Sequence, residues 1–243
     1  MERLREKAAA LGIKLSDHQL EQFETYYEML VEKNKVMNLT AITELSDVIT
    51  KHFVDSLLLV LAAPELGLKL DASSQYSCID VGTGAGFPGI PLKIAFPGLK
   101  VTLLDSLNKR VGFLNEVIEA LELTDITAVH GRAEDYGRDA KYREQYDICV
   151  SRAVANMSTL SEYCIPFVKK GGYFIPYKSG KADEEIAQAR SAVKKLGGEM
   201  KDIIVKILPE TDVERTFVPV KKMAITAKKY PRKAGSPSKE PLK

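Results

Sequence analysis

The sequence predicts an α/β fold: a mostly parallel sheet with helices on both faces, preceded by a helical segment and finished by an antiparallel edge. Three observations carry this. Up to about residue 70, apolar residues recur at three- and four-residue spacing and no strand-like run occurs before Tyr76. From Ser77 onward, short β-branched or apolar runs alternate with helical stretches, and parallel strands need such crossovers. Near the end, Asp202–Leu208 and Thr216–Ala227 are extended runs separated by the polar Pro209–Arg215, which suits a hairpin at one sheet edge.

The elements follow in order. Ser16-Asp17-His18-Gln19 has the spacing of a capping box and opens a helix. Leu20, Phe23, Tyr27, Leu30 and Val31 fall on one face of it, and Asn34 or Asn38 offers a stop. A second helical stretch runs from about Ser46 to Ala63. The predicted strands are Ser77–Val81, Lys100–Leu104, Ile126–Val129, Tyr146–Val150 and Gly172–Pro176. Between the second and third lies an amphipathic helix with Leu107, Val111, Leu114, Ile118 and Leu121 on one face. From Lys228 the chain is rich in Pro, Lys and Ser and reads as an extended, mobile arm. The expected organisation is therefore a helical extension over 1–70, an α/β domain over 71–227 and a basic flexible tail over 228–243.

Composition narrows the class. With 45% apolar and 28% charged residues, the chain has the make-up of a globular domain. The longest apolar run, Leu57 to Ala63, is far short of the roughly 18 residues a membrane span needs, and the mixed charge of Met1–Lys7 is unlike a secretory signal. Cys78, Cys149 and Cys164 form no C-x-x-C pair and read as buried small hydrophobes, with no metal site expected and a cytoplasmic location. The net charge of +2 hides an asymmetry: residues 221–243 carry eight basic residues against Glu240, which leaves the body at −5. Such an arm is suited to phosphates.

Asp80-Val81-Gly82-Thr83-Gly84-Ala85-Gly86-Phe87-Pro88-Gly89 is the most informative segment. Gly84, Gly86 and Gly89 match the G-x-G-x-x-G dinucleotide fingerprint, whereas Asp80 with Gly82, Gly84 and Gly86 matches the D-x-G-x-G-x-G loop of S-adenosylmethionine enzymes. A dinucleotide sets its pyrophosphate on this turn, where the carboxylate of Asp80 would repel it. The ammonium and sulfonium of S-adenosylmethionine are attracted instead, so Asp80 supports the methyl donor. Asp105, ending the second strand about 20 residues on, is a bidentate acceptor for a ribose diol and equally a candidate cap for the next helix. Gly131-Arg132-Ala133-Glu134-Asp135, after the third strand, places amides and a carboxylate where an adenine amino edge would lie.

Several blocks then resemble a known family. Asn38-Leu39-Thr40-Ala41-Ile42, His52-Phe53-Val54-Asp55-Ser56-Leu57, the loop Asp80–Gly89, Leu104-Asp105-Ser106-Leu107-Asn108-Lys109-Arg110 and Ser151-Arg152-Ala153 are similar to the RsmG (GidB) family of small-subunit ribosomal RNA guanine-N7 methyltransferases. The resemblance covers the chain from about residue 20. It implies a class I, Rossmann-like methyltransferase fold with a seven-stranded, mostly parallel sheet. It also implies methyl transfer from S-adenosylmethionine to a guanosine N7 in a decoding-region loop of 16S rRNA. Carried over residue by residue, the donor contacts fall on Gly82, Phe87, Asp105, Ala133, Glu134 and Arg152. Phe87 stands where a dinucleotide register starting at Gly82 would place a glycine, which again favours methyl transfer. Tyr177-Lys178-Ser179-Gly180 interposes a Ser where many members have Lys-Gly.

Guanine N7 offers a lone pair and no proton, so a general base is unnecessary and positioning carries the chemistry. His18, His52 and His130 are accordingly not nominated, and His52 is expected to pack. Arg152 and Lys178 are the candidate positioning residues. Lys109, Arg110, Arg132, Lys178 and Arg215 are the candidate contacts to 16S rRNA or the small subunit, with a monomer expected. Two rival readings stay open: a methyltransferase acting on a small molecule or protein, and a non-catalytic nucleotide-binding module.

Overall fold

The computed structural model describes residues 1–152, 155–178 and 183–243, with only the backbone of Asp183. Ala153, Ser179 and Gly180, named above, lie outside the described residues. The strands are β1 Ser77–Val81, β2 Lys100–Asp105, β3 Ile126–His130, β4 Tyr146–Arg152, β5 Val168–Lys178, β6 Gly198–Met200, β7 Ile204–Ile207, β8 Glu214–Phe217 and β9 Val220–Lys222. The helices are α1 Glu2–Ala10, α2 Asp17–Met37, α3 Leu45–Val48, α4 Asp55–Leu57, α5 Leu59–Ala62, α6 Gly89–Ala95, α7 Asn108–Ala120, α8 Ala133–Tyr136, α9 Met157–Cys164, α10 Asp183–Lys195 and α11 Ser236–Lys239.

The main sheet runs β3-β2-β1-β4-β5-β8-β7, parallel through β5 and antiparallel beyond it. β8 and β9 both pair with β5, at Tyr177–Lys178 and Tyr173–Phe174, so they form one strand position interrupted at Val218–Pro219. β7 and β6 likewise share the edge position, against β8 and β9. Among the described residues, nine short strands thus occupy the seven positions of a class I fold. Proline donates no amide hydrogen, which accounts for the break in the run predicted over Thr216–Ala227. Because β1, β2, β3 and β4 are parallel, their carboxyl ends bring Gly82, Asp105, Gly131 and Arg152 to one rim of the sheet. Open α/β sheets bind ligands at that rim.

Two apolar cores cover the two sheet faces. One joins the N-terminal helices to α6, α7 and the sheet, from Leu4, Phe23 and Phe53 to Ile90, Phe113 and Ile175. The extension therefore shares its core with the α/β body. The other packs α9 and α10 through Met157, Leu160, Ile186 and Val193 against Ile79, Cys149 and Phe174. All three cysteines are buried and unpaired.

The capping box forms as predicted: Ser16 Oγ accepts from Gln19 N–H, Gln19 Oε1 accepts from Ser16 N–H, and Asn38 ends α2 in the left-handed conformation. The inward tyrosine is Tyr26, fully buried, rather than Tyr27. In the next helical stretch, a π turn over Ile49–Val54 interrupts the predicted α-helix and re-aims its polar side chains. Leu107, expected on the buried face of α7, precedes the helix and is half exposed, because Asp105 Oδ1 accepts its N–H and turns the chain there.

The segment from residue 228 differs from the mobile arm expected of it. Tyr230 is buried, Pro231 O accepts from Arg138 Nε at 2.8 Å, and Tyr230 O accepts from Arg143 Nη1 at 2.8 Å. Arg232 forks onto the fully buried Glu162 with contacts of 2.7 to 3.2 Å. Composition had no view of these partners, which satisfy backbone carbonyls that water would otherwise solvate. Of the basic cluster, Lys222 is buried and Arg232 is paired, while Lys228, Lys229, Lys233, Lys239 and Lys243 remain exposed.

Candidate functional site

The glycine loop leaves β1 through three glycines at positive φ: Gly82 at 72°, Gly84 at 62° and Gly86 at 107°. Side chains rarely adopt this region, and at Gly86 a Cβ would also meet Tyr26 Oη at 2.7 Å. Both ends of the loop are pinned. Gly82 N–H donates to Leu104 O at 2.8 Å, and Tyr26 Oη donates to Ala85 O at 2.6 Å. The helical extension thus holds the loop's shape directly, a role the sequence reading missed.

Asp80 needs correction as a donor contact. It is fully buried beneath the loop, where Oδ2 accepts from Thr83 Oγ1 at 2.7 Å and Gly89 N–H at 2.9 Å. Its other oxygen is buried without a hydrogen-bond partner among the described residues. Burial pushes its pKa up to about 6. The inference against a dinucleotide survives on different grounds: the Gly89 amide, which opens α6, is already taken by a carboxylate. Gly89 is a close-packing glycine, since a Cβ there would lie 2.3 Å from Leu103.

Asp105 does not cap α7, whose N-cap position is Leu107 with no side-chain cap bond; it bridges two loops instead. Its Oδ2 accepts from Gly84 N–H at 2.9 Å and its Oδ1 from Leu107 N–H at 2.9 Å, tying β2 to the glycine loop. It is nearly buried, and Arg110 approaches it to 3.5 Å.

Two cavities meet at Gly82 and Ser106. The first, about 280 Å³, is lined by Val81, Leu104, Arg132, Ala133, Glu134 and Tyr163, with Gly235 and Ser238 from the C-terminal segment. The second, about 380 Å³, runs from Gly82–Ala85, Phe87 and Asp105 to Leu39, Thr40, His52, Arg110 and Arg152. Gly82, Gly84, Phe87, Asp105, Ala133, Glu134 and Arg152 therefore line the two joined cavities, while Gly86 and Asp80 support the loop from behind.

The second cavity is organised around Phe87 and Arg152 by His52, expected only to pack, and by Thr40 and Asp55, which sequence reasoning left without a role. Phe87 lies between His52, stacked at 4.5 Å and 18°, and Arg152, whose guanidinium carbon is 5.1 Å from the ring centre. Arg152 Nη1 donates to Asp55 Oδ2 at 2.6 Å, and Arg215 Nε donates to the other oxygen at 2.7 Å. Asp55 is fully buried, so one carboxylate anchors two guanidiniums. Nδ1 of His52 lies 3.3 Å from Arg152 Nη2 and Nε2 lies 2.9 Å from Thr40 Oγ1. A guanidinium only donates, so Nδ1 accepts and Nε2–H donates to Thr40, which defines a neutral imidazole. Burial, and then the charge of Arg152, lower its pKa to about 4. Thr40, His52 and Asp55 belong to the blocks singled out by resemblance, which was the signal available for them.

Among the proposed RNA contacts, Lys109 and Arg132 are exposed and Arg110 is partly so. Lys178 and Arg215 turn inward. Lys178 Nζ donates to Ala155 O and Glu185 Oε1, both at 2.7 Å, and Arg215 is held by Asp55. Each finds a carboxylate within reach, which a reading of strand ends cannot anticipate.

The model of the family described as GidB, rRNA small subunit methyltransferase G, matches residues 19–214. The chain belongs to this family. A relative named ribosomal RNA small subunit methyltransferase G from Lachnoclostridium phytofermentans is 55% identical, covering 96% of this chain and 93% of the relative. One of the same name from Staphylococcus saprophyticus is 52% identical, over 98% and 97% of the two chains. The structure of M. jannaschii TYW2 in complex with AdoMet shares the fold at 14% identity and a TM-score of 0.50, over 68% of this chain and 76% of that one. As a GidB-family member the chain is an S-adenosylmethionine-dependent methyltransferase. The joined cavities fit such a donor: a slot walled by Val81, Leu104 and Ala133 and bearing Glu134 for a base, the carboxylate of Asp105 beside the junction and a glycine loop beyond.

Proposed function

We propose that this enzyme methylates N7 of a specific guanosine in a decoding-region loop of 16S rRNA, in the cytoplasm, by in-line attack on the donor methyl and without a general base. Ribosomal RNA as acceptor is supported by the family and by the names of its relatives. The observation that carries the finer reading is the tier of His52, Phe87 and Arg152 beside the glycine loop. Flat rings and a guanidinium are surfaces on which an extruded base stacks.

The bound donor supplies an electrophilic methyl group. On this reading Asp105 holds its ribose, Ala133 and Glu134 hold its base, and the glycine loop with Arg152 holds its amino-acid end. Arg152, fixed by Asp55, orients the acceptor base, and neutral His52 keeps Phe87 in place. Neither removes a proton, because N7 carries none. The RNA backbone meets Lys109, Arg110 and Arg132; the exposed lysines of the C-terminal segment stand on a packed segment rather than on a free arm.

The test is incubation of tritiated S-adenosylmethionine with small subunits and with deproteinised 16S rRNA, followed by mapping of the labelled base. Label at a guanosine N7 is expected. Label on adenosine, on protein or on neither substrate overturns the reading.

A further inference from the structure

The C-terminal segment reads in the sequence as a mobile arm suited to phosphates, and the family model ends at residue 214, before it begins. Yet relatives of this chain align over nearly its full length, and in the fold this segment reaches the first cavity. Gly235 N–H donates to Glu134 Oε1 at 2.8 Å, and Gly235 and Ser238 line the cavity opposite Val81, Leu104 and Ala133. The segment is held on both sides of that contact. Arg232 grips buried Glu162, and Pro237 O accepts from Thr159 Oγ1 at 3.0 Å.

Resting on the reading of this cleft as the donor site, we infer that residues 232–238 complete its nucleoside end. Gly235 N–H fixes one oxygen of Glu134, which leaves the other to accept from the exocyclic amine of adenine. Ser238 and Tyr163 form the wall that the base packs against. A carboxylate fixed in this way recognises an amino group better than a freely rotating one, because its orientation is already set before binding. Glu134 is nearly buried, and among the described residues the Gly235 amide is the hydrogen-bond donor that orients its side chain. The segment is thus part of donor binding.

The test uses the full chain and calorimetry with two ligands: S-adenosylhomocysteine, and 5′-methylthioadenosine, which lacks the amino-acid end. Ser238 is exposed and lines the cavity, donating only to Gly235 O at 3.1 Å among the described residues, so Ser238→Trp fills the wall from the surface. The expected result is at least tenfold weaker binding of both ligands, by the same factor. Unchanged affinities overturn the inference, and weakening of S-adenosylhomocysteine alone overturns it too, because residue 238 would then act on the amino-acid end. Hydrogen exchange on the wild-type chain is the second measurement. Peptides covering 230–240 should exchange more slowly with methylthioadenosine bound, whereas unchanged or faster exchange contradicts a wall. If the wild-type chain binds neither ligand, the donor-site reading itself fails, and the inference with it.

Discussion

Asp55→Ala is the most informative single substitution. The carboxylate is fully buried and accepts from Arg152 at 2.6 Å and Arg215 at 2.7 Å. Removing it deletes two charge-assisted hydrogen bonds, each worth about 1.5–3 kcal/mol, and leaves two cations poorly compensated. The two arginine side chains are 12% and 14% exposed, so water recovers part of the loss. The lower end of the range applies, about 3 kcal/mol. For a protein of this size that is a fall in Tm of roughly 6–12 °C, readable by calorimetry. Activity should fall further than stability explains, since Arg152 loses its anchor beside Phe87. In a double-mutant cycle, Asp55→Ala combined with Arg215→Leu should cost less than the two single changes summed. A loss under about 1 kcal/mol, or additive singles, would refute the reasoning.

The other predictions are narrower. His52 is neutral in the fold, with its pKa lowered from 6.5 to about 4, so its contribution to stability is present above pH 6.5 and lost as pH falls towards 4. Asp80 runs the other way: its pKa is raised from 3.8 to about 6, and the stability it lends at low pH is lost as pH rises through that interval. His52→Gln should therefore shrink the Tm difference between pH 7 and pH 4.5, and Asp80→Asn should enlarge it; unchanged differences would contradict both assignments. Gly89→Ala should cost about 1–3 kcal/mol, since its Cβ would sit 2.3 Å from Leu103 and 3.0 Å from Asp80 Oδ2, and denaturant melts measure that. Lys109→Ala should weaken RNA binding and lower the salt slope by about 1 while donor affinity holds, whereas unchanged RNA affinity would remove Lys109 from the interface.

Legibility followed the range of the interactions concerned. The capping box at Ser16, the strand Ser77–Val81 and the positive-φ glycines are local, and all were readable. The blocks around Thr40, His52 and Asp55 were visible as a resemblance, but their roles were not. They depend on Arg152, about 100 residues away, and on a π turn that re-aims His52 and Asp55. Lys178 looked free at its strand end because Glu185 could not be placed against it in advance. Asp80 had the right effect for the wrong reason: it excludes a pyrophosphate by occupying the amide of Gly89, not by facing the ligand.

By itself, then, the sequence determined the alternation of strands and helices, the glycine turn and the carboxylate that follows it, because propensity, periodicity and backbone freedom act over a few residues. The tertiary structure decided which charges are available. It folded Lys222 and Arg232 of the basic C-terminal segment inward, committed Arg215 to Asp55, and set Gly235 against Glu134. Whether a charge meets solvent, a ligand or a buried partner depends on what lies within about 4 Å of it, and those neighbours come from distant parts of the chain.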